Sequence, residues 1–286
     1  MEITIITASY NCQSSIENTI NSVINQTYTN WRLIVFDDGS TDNSTQIIKK
    51  YADENPKIKL LRHAGNVNKG LGETLQKALT CVNTHYVAFL ECDDIWHKDY
   101  LKEKVSLLRK NPKADIIFNK VKPFGTASRV KKLSLYYDAV NFYLTCFSPF
   151  SRAYNLLFFL YSFNPVASFS CIMLRTSLLE KLDFNPAFSP WLDRWLWAQL
   201  AFKNKFYFID KELTKWQLHP TSMTMKTLKE SKNKQAAFKK QIDTLYKNNL
   251  PAYKYFFIKY LNLILNFIFR IIKTIIKHPL KFFYKN

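Results

Sequence analysis

Two acidic clusters in this chain each close an apolar run. Asp37-Asp38 follows Trp31–Phe36, and Glu91-Cys92-Asp93-Asp94 follows Tyr86–Leu90. Carboxylates crowded together repel one another unless a cation neutralises them, and hard oxygen ligands suit Mg²⁺ or Mn²⁺. Such an ion keeps few protein ligands and is completed by substrate phosphates, so a nucleoside diphosphate is its natural guest. Taken alone, Asp37-Asp38-Gly39-Ser40 also reads as turn chemistry, because these residue types favour tight turns. A second cluster at the end of a second apolar run sharpens the case for a site. Another acid, Asp193, opens a stretch with helical spacing, where the helix dipole favours an acid in any case.

The elements around these acids must bring them to one edge. Ile3–Thr7 reads as a first strand, followed by a polar loop through Asn11 and a helix with apolar residues at Ile16, Ile20, Val23 and Ile24. Trp31–Phe36 reads as a second strand, then a helix around Ile47, Ile48 and Tyr51, and a strand at Ile58–Arg62. A helix near Leu71–Val82 and a strand at Tyr86–Leu90 complete the alternation. This order implies a parallel sheet in a three-layer α/β domain. Ligands of such sheets bind beyond the carboxyl ends of the strands, which points both acidic clusters into one crevice. Further on, the pattern predicts a strand at Ser170–Leu174, a helix around Ser177–Leu182, and a helix over Trp191–Phe202 carrying Asp193. The aromatic stretch at 133–169 stays open between core, an acceptor-binding insertion and a membrane-touching loop, since periodicity does not separate these.

Four segments in order resemble the large family 2 of glycosyltransferases, over roughly residues 1–225. Ile5-Ile6-Thr7-Ala8-Ser9-Tyr10-Asn11 is similar to the family's first strand and nucleotide loop, and Ser22–Tyr28 to the helix end and turn that follow. Val35–Asp42 is similar to its base-binding segment, and Phe89–Asp94 to its metal-binding DXD segment. The resemblance implies an inverting enzyme of α/β class with the GT-A fold: a Rossmann-like nucleotide-binding half, a mixed central sheet and a helical C-terminal tail. It implies Mg²⁺ or Mn²⁺ as cofactor, and transfer of a hexosyl or N-acetylhexosaminyl group from a UDP-sugar. The acceptor would be a hydroxyl of a glycan or lipid-linked oligosaccharide of a bacterial cell surface.

The same resemblance assigns roles to matching positions. Tyr10 would stack beside the nucleobase, while Ala8 and Ser9 approach it through backbone groups. Asp38 would accept a hydrogen bond from the base. Glu91 belongs to the donor-binding segment, with Asp93 and Asp94 at the ribose and at the metal that bridges the diphosphate. Asp193 matches the base that deprotonates the acceptor. His219 lies where relatives carry a His that closes over the diphosphate with nearby hydroxyls. Trp191, Trp195 and Trp197 are candidates for an acceptor platform, although Trp195 and Trp197, two apart, cannot share one helix face.

Three positions depart from the family pattern. Glu91 is one methylene longer than the usual Asp, Leu192 replaces an acid, and Gly72-Glu73-Thr74-Leu75 stands where an Arg near the donor phosphates is common. They leave the donor sugar open and motivate an alternative, a non-catalytic GT-A-fold scaffold or binding subunit. A nucleotidyltransferase would want a Gly-rich phosphate loop with a basic residue after the first strand, and Thr7–Asn11 holds neither Gly nor Lys.

Composition sets the outer limits. At 286 residues the chain accommodates one catalytic domain and an appendage. Five cysteines are scattered without a C-x-x-C pair, which argues against a disulfide framework or zinc site and for a reducing compartment. The N-terminus lacks the basic region and long apolar core of a signal peptide. A net charge of +19 calls for polyanionic partners. Nucleic acid is set aside among them, since that reading needs no nucleotide sugar.

The tail suggests anionic lipid instead. From Thr244 onward there is no Asp or Glu, and Lys259, Asn262, Asn266, Arg270, Lys273 and Lys277 recur at steps of three or four. The remainder of a helix from about Tyr253 to Lys277 is mainly Phe, Ile and Leu. We read it as an in-plane helix whose polar stripe meets the headgroups, with Pro279 as its stop and Phe282, Phe283 and Tyr284 as a second anchor. Packing of the helix on the domain or in a dimer is the alternative. The expected organisation is therefore a catalytic domain over 1–225, with a nucleotide-sugar half at about 1–95 and an acceptor half at 96–225. Residues 226–286 form a basic membrane-associating tail, on a cytoplasmic protein held at the inner face of the cytoplasmic membrane.

Overall fold

The computed structural model describes residues 1–147, 153–184, 191–220, 222, 225 and 232–277. The first half alternates as its apolar runs dictate: β1 (Ile3–Ser9), α1 (Ile16–Ile24), β2 (Trp31–Asp37), α2 (Ser44–Glu54), β3 (Ile58–Arg62), α3 (Leu71–Leu79) and β4 (Tyr86–Phe89). Next come β5 (Ile95–Trp96), α4 (Tyr100–Lys110), β6 (Ile116–Phe124), α5 (Val130–Phe147), β7 (Ala153–Tyr154) and α6 (Leu157–Ser162). The chain continues through β8 (Ile172–Arg175), α7 (Leu192–Ala201), β9 (Phe206–Gln217), α8 (Lys232–Asn249) and α9 (Ala252–Lys277).

One sheet runs β3-β2-β1-β4-β8-β6-β9-β5, with β7 also paired to β9. Its first four strands are parallel, and β8 runs antiparallel to both β4 and β6, so the sheet is mixed. Strand residues alternate between two faces. Ile5, Leu33, Val35, Ala88 and Ile117 join α1, α2 and α4 in one core, while Ile6, Phe36, Phe89, Ile116 and Phe118 join the later helices in the other. Burial on both faces explains why these strands read as unbroken apolar runs rather than alternating ones.

Three local expectations are corrected. The strand predicted at Ser170–Leu174 starts only at Ile172, because Phe169–Cys171 forms a helical turn in which the Ser168 hydroxyl accepts the Ser170 N–H. The helix predicted at Ser177–Leu182 is a single turn at Thr176–Leu178. Cys12 and Cys92, taken as single thiols, are joined in a disulfide with Cα atoms 6.3 Å apart. Their separation of 80 residues hid this: both lie just beyond the carboxyl ends of neighbouring parallel strands.

The tail is corrected too. Phe238, Ile242 and Tyr246 of α8, and Tyr255 and Ile258 of α9, enter the second core. The two stripe residues of α9 whose side chains are described, Lys259 and Asn262, meet partners on the domain. Asn262 is 5 % exposed and bonds Ser162 of α6, and Lys259 lies 3.4 Å from Asp243 of α8. Half-buried polar partners on α6 and α8 hold these two residues, and the Phe and Leu side up to Ile264 is left outward. Asn266, Arg270, Lys273 and Lys277 lie beyond the described side chains, and Pro279, Phe282, Phe283 and Tyr284 beyond the described residues. Among the described residues no helix is long and apolar enough to cross a membrane.

Candidate active site

A cavity of about 880 Å³ opens where the carboxyl ends of β1, β2 and β4 meet the turn before β8, the first residues of α7 and the segment after β9. Its walls include Ala8, Ser9, Tyr10, Asp38, Glu91, Asp93, Asp193 and His219. Of the residues assigned from sequence to donor, metal and base, Asp94 alone is not on its surface.

The β1 side is held by hydrogen bonds between loops. The Asp38 N–H donates to the Ser9 carbonyl (2.8 Å), the Asn11 N–H to the Ser40 hydroxyl (3.0 Å), and the Thr41 N–H to the Asn11 side chain (2.8 Å). Asp38 itself accepts the backbone N–H groups of Lys69 (2.7 Å) and Gly70 (3.0 Å), which fixes the loop before α3. Gly39 permits this closure: its φ is +75°, and a side chain there would stand 2.6 Å from the Asn68 nitrogen. Tyr10 is left about half exposed at the rim, its ring available for stacking. Asp37 does not face the cavity; it is fully buried and accepts from Ser40 and Thr45.

At the end of β4 the acidic residues divide. Asp93 points into the cavity with His219 Nε2 3.3 Å away. Asp94 is fully buried, accepting the Gln217 N–H at 2.8 Å, with the Ser168 hydroxyl at 3.0 Å. It therefore ties the exit of β9, and so His219, to the β4 segment instead of facing a ligand. Glu91 lines the cavity and accepts from Ser168 at 2.6 Å. Burial, reinforced by the charge of Asp93, pushes its carboxyl up to about 8. Burial likewise raises Asp94 well above the usual carboxylate range. The Ser168 turn is braced from beneath by Lys104, fully buried, which donates to the carbonyls of Cys171 (2.7 Å) and Ile117 (3.1 Å).

Asp193 sits in the first turn of α7 and lines the cavity. Oδ1 accepts the Arg194 N–H and Oδ2 accepts the Asn164 amide, each at 2.6 Å. Burial raises its carboxyl to about 6, against the pull of Arg194 and Asn164. Arg194 donates to the carbonyls of Leu160 (3.0 Å) and Tyr161 (2.6 Å), closing the end of α6 just before Asn164. The proposed Trp platform does not form from Trp195 and Trp197, which are 7 % and 0 % exposed and belong to the core. Trp191 stacks on Phe238 of α8 at 5.0 Å.

With this geometry in hand, the comparisons fall into place. The profile described as "Glycosyl transferase family 2" matches residues 4–183. The chain belongs to that family. A relative in Escherichia coli, UDP-Glc:alpha-D-GlcNAc-diphosphoundecaprenol beta-1,3-glucosyltransferase WfgD, is 38 % identical over 109 residues, which is 38 % of this chain and 42 % of the relative. The match thus spans about two fifths of that protein. Among solved structures, S. aureus TarS 1-349 in complex with UDP-GlcNAc aligns with a TM-score of 0.63 at 19 % identity, covering 89 % of this chain and 69 % of TarS. The mannosyltransferase PcManGT of Pyrobaculum calidifontis, in complex with GDP-Man and Mn²⁺, aligns at 0.55 and 15 %, over 80 % of this chain and 65 % of that one. These neighbours establish the GT-A fold for this family 2 member.

Several residues of the candidate site escaped the sequence. Asn164 and Ser168, from the stretch at 133–169, hold Asp193 and Glu91, and only three-dimensional proximity reveals this. His63 stands 3.4 Å from Asp38 and bonds Thr74 at 3.0 Å, with its ring against Phe36. The hydroxyls of Ser9 and Ser222, both buried in the cavity wall, have no hydrogen-bond partner among the described residues.

Proposed function

We propose that the chain transfers a sugar from a UDP-sugar to a hydroxyl of a lipid-linked glycan, with inversion and with Asp193 as base. The observation that carries this is the single cavity shared by Tyr10 and Asp38 at one wall, Asp93 and His219 at a second, and Asp193 at a third. Tyr10 stacks on the uracil ring and Asp38 accepts from its N–H. Asp193 takes the proton of the acceptor hydroxyl as that oxygen bonds the anomeric carbon and the bond to the diphosphate breaks. A carboxyl raised to about 6 is ionised at neutral pH yet more basic than an exposed aspartate, as a general base should be. The names of two comparison proteins support the substrates: WfgD uses UDP-Glc and a diphosphoundecaprenol-linked sugar, and TarS was solved with UDP-GlcNAc.

The residues present fit a divalent cation completed by substrate. Asp93 and His219 offer one oxygen and one nitrogen ligand beside each other at the cavity surface, and no cluster of three or more ligand-type side chains occurs among the described residues. We assign Asp93 and His219, not Asp94, as its protein ligands, with Mn²⁺ or Mg²⁺ as the ion; the Mn²⁺ in the PcManGT complex agrees with this. When bound, the cation would neutralise charge on the departing diphosphate. We further propose residues 1–225 as the catalytic domain, and 226–286 as a tail that keeps the enzyme at an anionic, cytoplasmic membrane surface.

The test is a panel of UDP-sugars assayed for release of UDP with Mg²⁺ and Mn²⁺ in parallel, and NMR of the product's anomeric configuration. Metal-dependent release with an inverted product is expected. No release with any sugar nucleotide, or retention at the anomeric carbon, would overturn the reading.

A further inference from the structure

The aromatic insertion ahead of the base carries an outward apolar stripe that the fold leaves bare. On α5, Leu135, Ala139, Phe142 and Cys146 recur at steps of four, three and four, so they share one helix face. All are exposed, Leu135 at 72 % and Phe142 at 70 %. Tyr137, Asn141 and Leu144 cover the opposite side against the core. Edge-to-face rings carry the aromatic surface onward: Tyr143 meets Phe159 of α6 at 5.3 Å, and Phe159 meets Phe158 at 5.6 Å, Phe158 and Phe159 both half-buried. At its end α6 also meets α9 through Ser162 and Asn262, and the outward face of α9 shows Tyr253, Phe256, Phe257, Tyr260, Leu263 and Ile264.

Exposed apolar area on this scale marks a contact surface. Its charge selects the partner. Arg129, Lys131 and Lys132 stand exposed at the start of α5 and Lys254 at the start of α9; Asp138, at the stripe's edge, is the one acid on these two helices. A second copy carrying the same +19 would bring like charges together, whereas an anionic bilayer takes both the rings and the lysines. The location agrees: α6 ends in the carbonyls held by Arg194, and Asn164 beyond it bonds the carboxylate of Asp193.

We propose that α5 and α6, beside the outward rings of α9, form a bilayer-contacting surface at the acceptor side of the site, linked to the base through Asn164. Seated there, the membrane delivers the lipid-linked hydroxyl toward Asp193. The functional meaning rests on the lipid-linked acceptor proposed above; the surface itself does not.

Full-length protein is to be co-sedimented, without donor, with vesicles of phosphatidylcholine alone and of phosphatidylcholine mixed with phosphatidylglycerol. Wild type should bind the anionic vesicles, and Leu135→Gln/Phe142→Gln should bind roughly tenfold or more weakly, since both side chains are pure surface. Ala139→Glu, on the same stripe, should weaken binding as well, and melting temperatures should be unchanged in both variants. Wild-type affinity in these variants would overturn the proposal, as would failure of the wild type to bind. A dimer that the α5 variants dissolve, with no vesicle binding, would give the surface to a second copy and overturn it equally. Vesicle binding that depends on α5 in a protein inert toward every UDP-sugar would uphold the surface and sink the transferase reading.

Discussion

The contact between Asn164 and Asp193 makes a quantitative prediction about pH. Asp193 must be ionised to accept a proton, so activity falls as pH drops through its pKa of about 6. The Asn164 amide donates to the ionised form at 2.6 Å and holds that pKa down. A hydrogen bond to a charged group contributes ~1.5–3 kcal/mol, and water from the open cavity replaces part of it, leaving a net loss of ~1.4 kcal/mol in Asn164→Ala. Since ~1.36 kcal/mol is one pKa unit, the acid limb should move from about 6 to ~7. The variant's deficit in kcat/KM from protonation should then be roughly twofold at pH ~7 and approach tenfold near pH ~5, vanishing above pH ~8.5. A second, pH-independent loss in kcat is expected from the less constrained carboxylate, with the KM for donor unchanged. The assay is UDP release across pH 5 to 9 at constant ionic strength. Asn164→Asp, which sets a carboxyl beside Asp193, should move the limb further upward. An acid limb that stays in place in Asn164→Ala would refute the reasoning, whatever the size of the rate loss.

Other perturbations test the remaining assignments. Asp193→Asn should lower kcat by ~10²–10⁴ with UDP affinity retained, read by turnover and by calorimetric titration; near-normal turnover would remove it as base. Asp93→Ala and His219→Ala should each abolish the metal-dependent part of UDP binding while leaving the melting temperature of the metal-free protein in place. Asp94→Ala should do the reverse: leaving the buried Gln217 N–H without its acceptor costs ~1–3 kcal/mol, a drop of several degrees in melting temperature, with metal dependence intact. Tyr10→Ala should weaken UDP binding roughly tenfold or more, because one aromatic stack on a base contributes ~1–3 kcal/mol, and should weaken inorganic diphosphate not at all.

Legibility from sequence followed the range of the interactions involved. Elements whose pattern is local were read nearly to the residue: β3 was expected at Ile58–Arg62 and lies there, and α9 was expected from about Tyr253 and starts at Ala252. The site was legible where motif and strand end coincide, as at Tyr10, Asp38 and Asp93, since a parallel sheet puts all its carboxyl ends on one edge. Local pattern could not divide Asp93 from Asp94. Adjacent residues leaving a strand face opposite ways, and which one meets the cavity depends on Gln217, distant in sequence, whose N–H claims Asp94. The same holds for the cysteines, joined across 80 residues, and for β9, whose long parallel pairing with β6 left no local mark strong enough to read. The tail shows the sharper lesson. A stripe of Lys and Asn on an apolar helix says that two environments exist, not which one is water. For Lys259 and Asn262, Asp243 and Ser162 decide it by offering partners on the domain, so this part of the stripe lies at the seam and the rings of α9 up to Ile264 face outward.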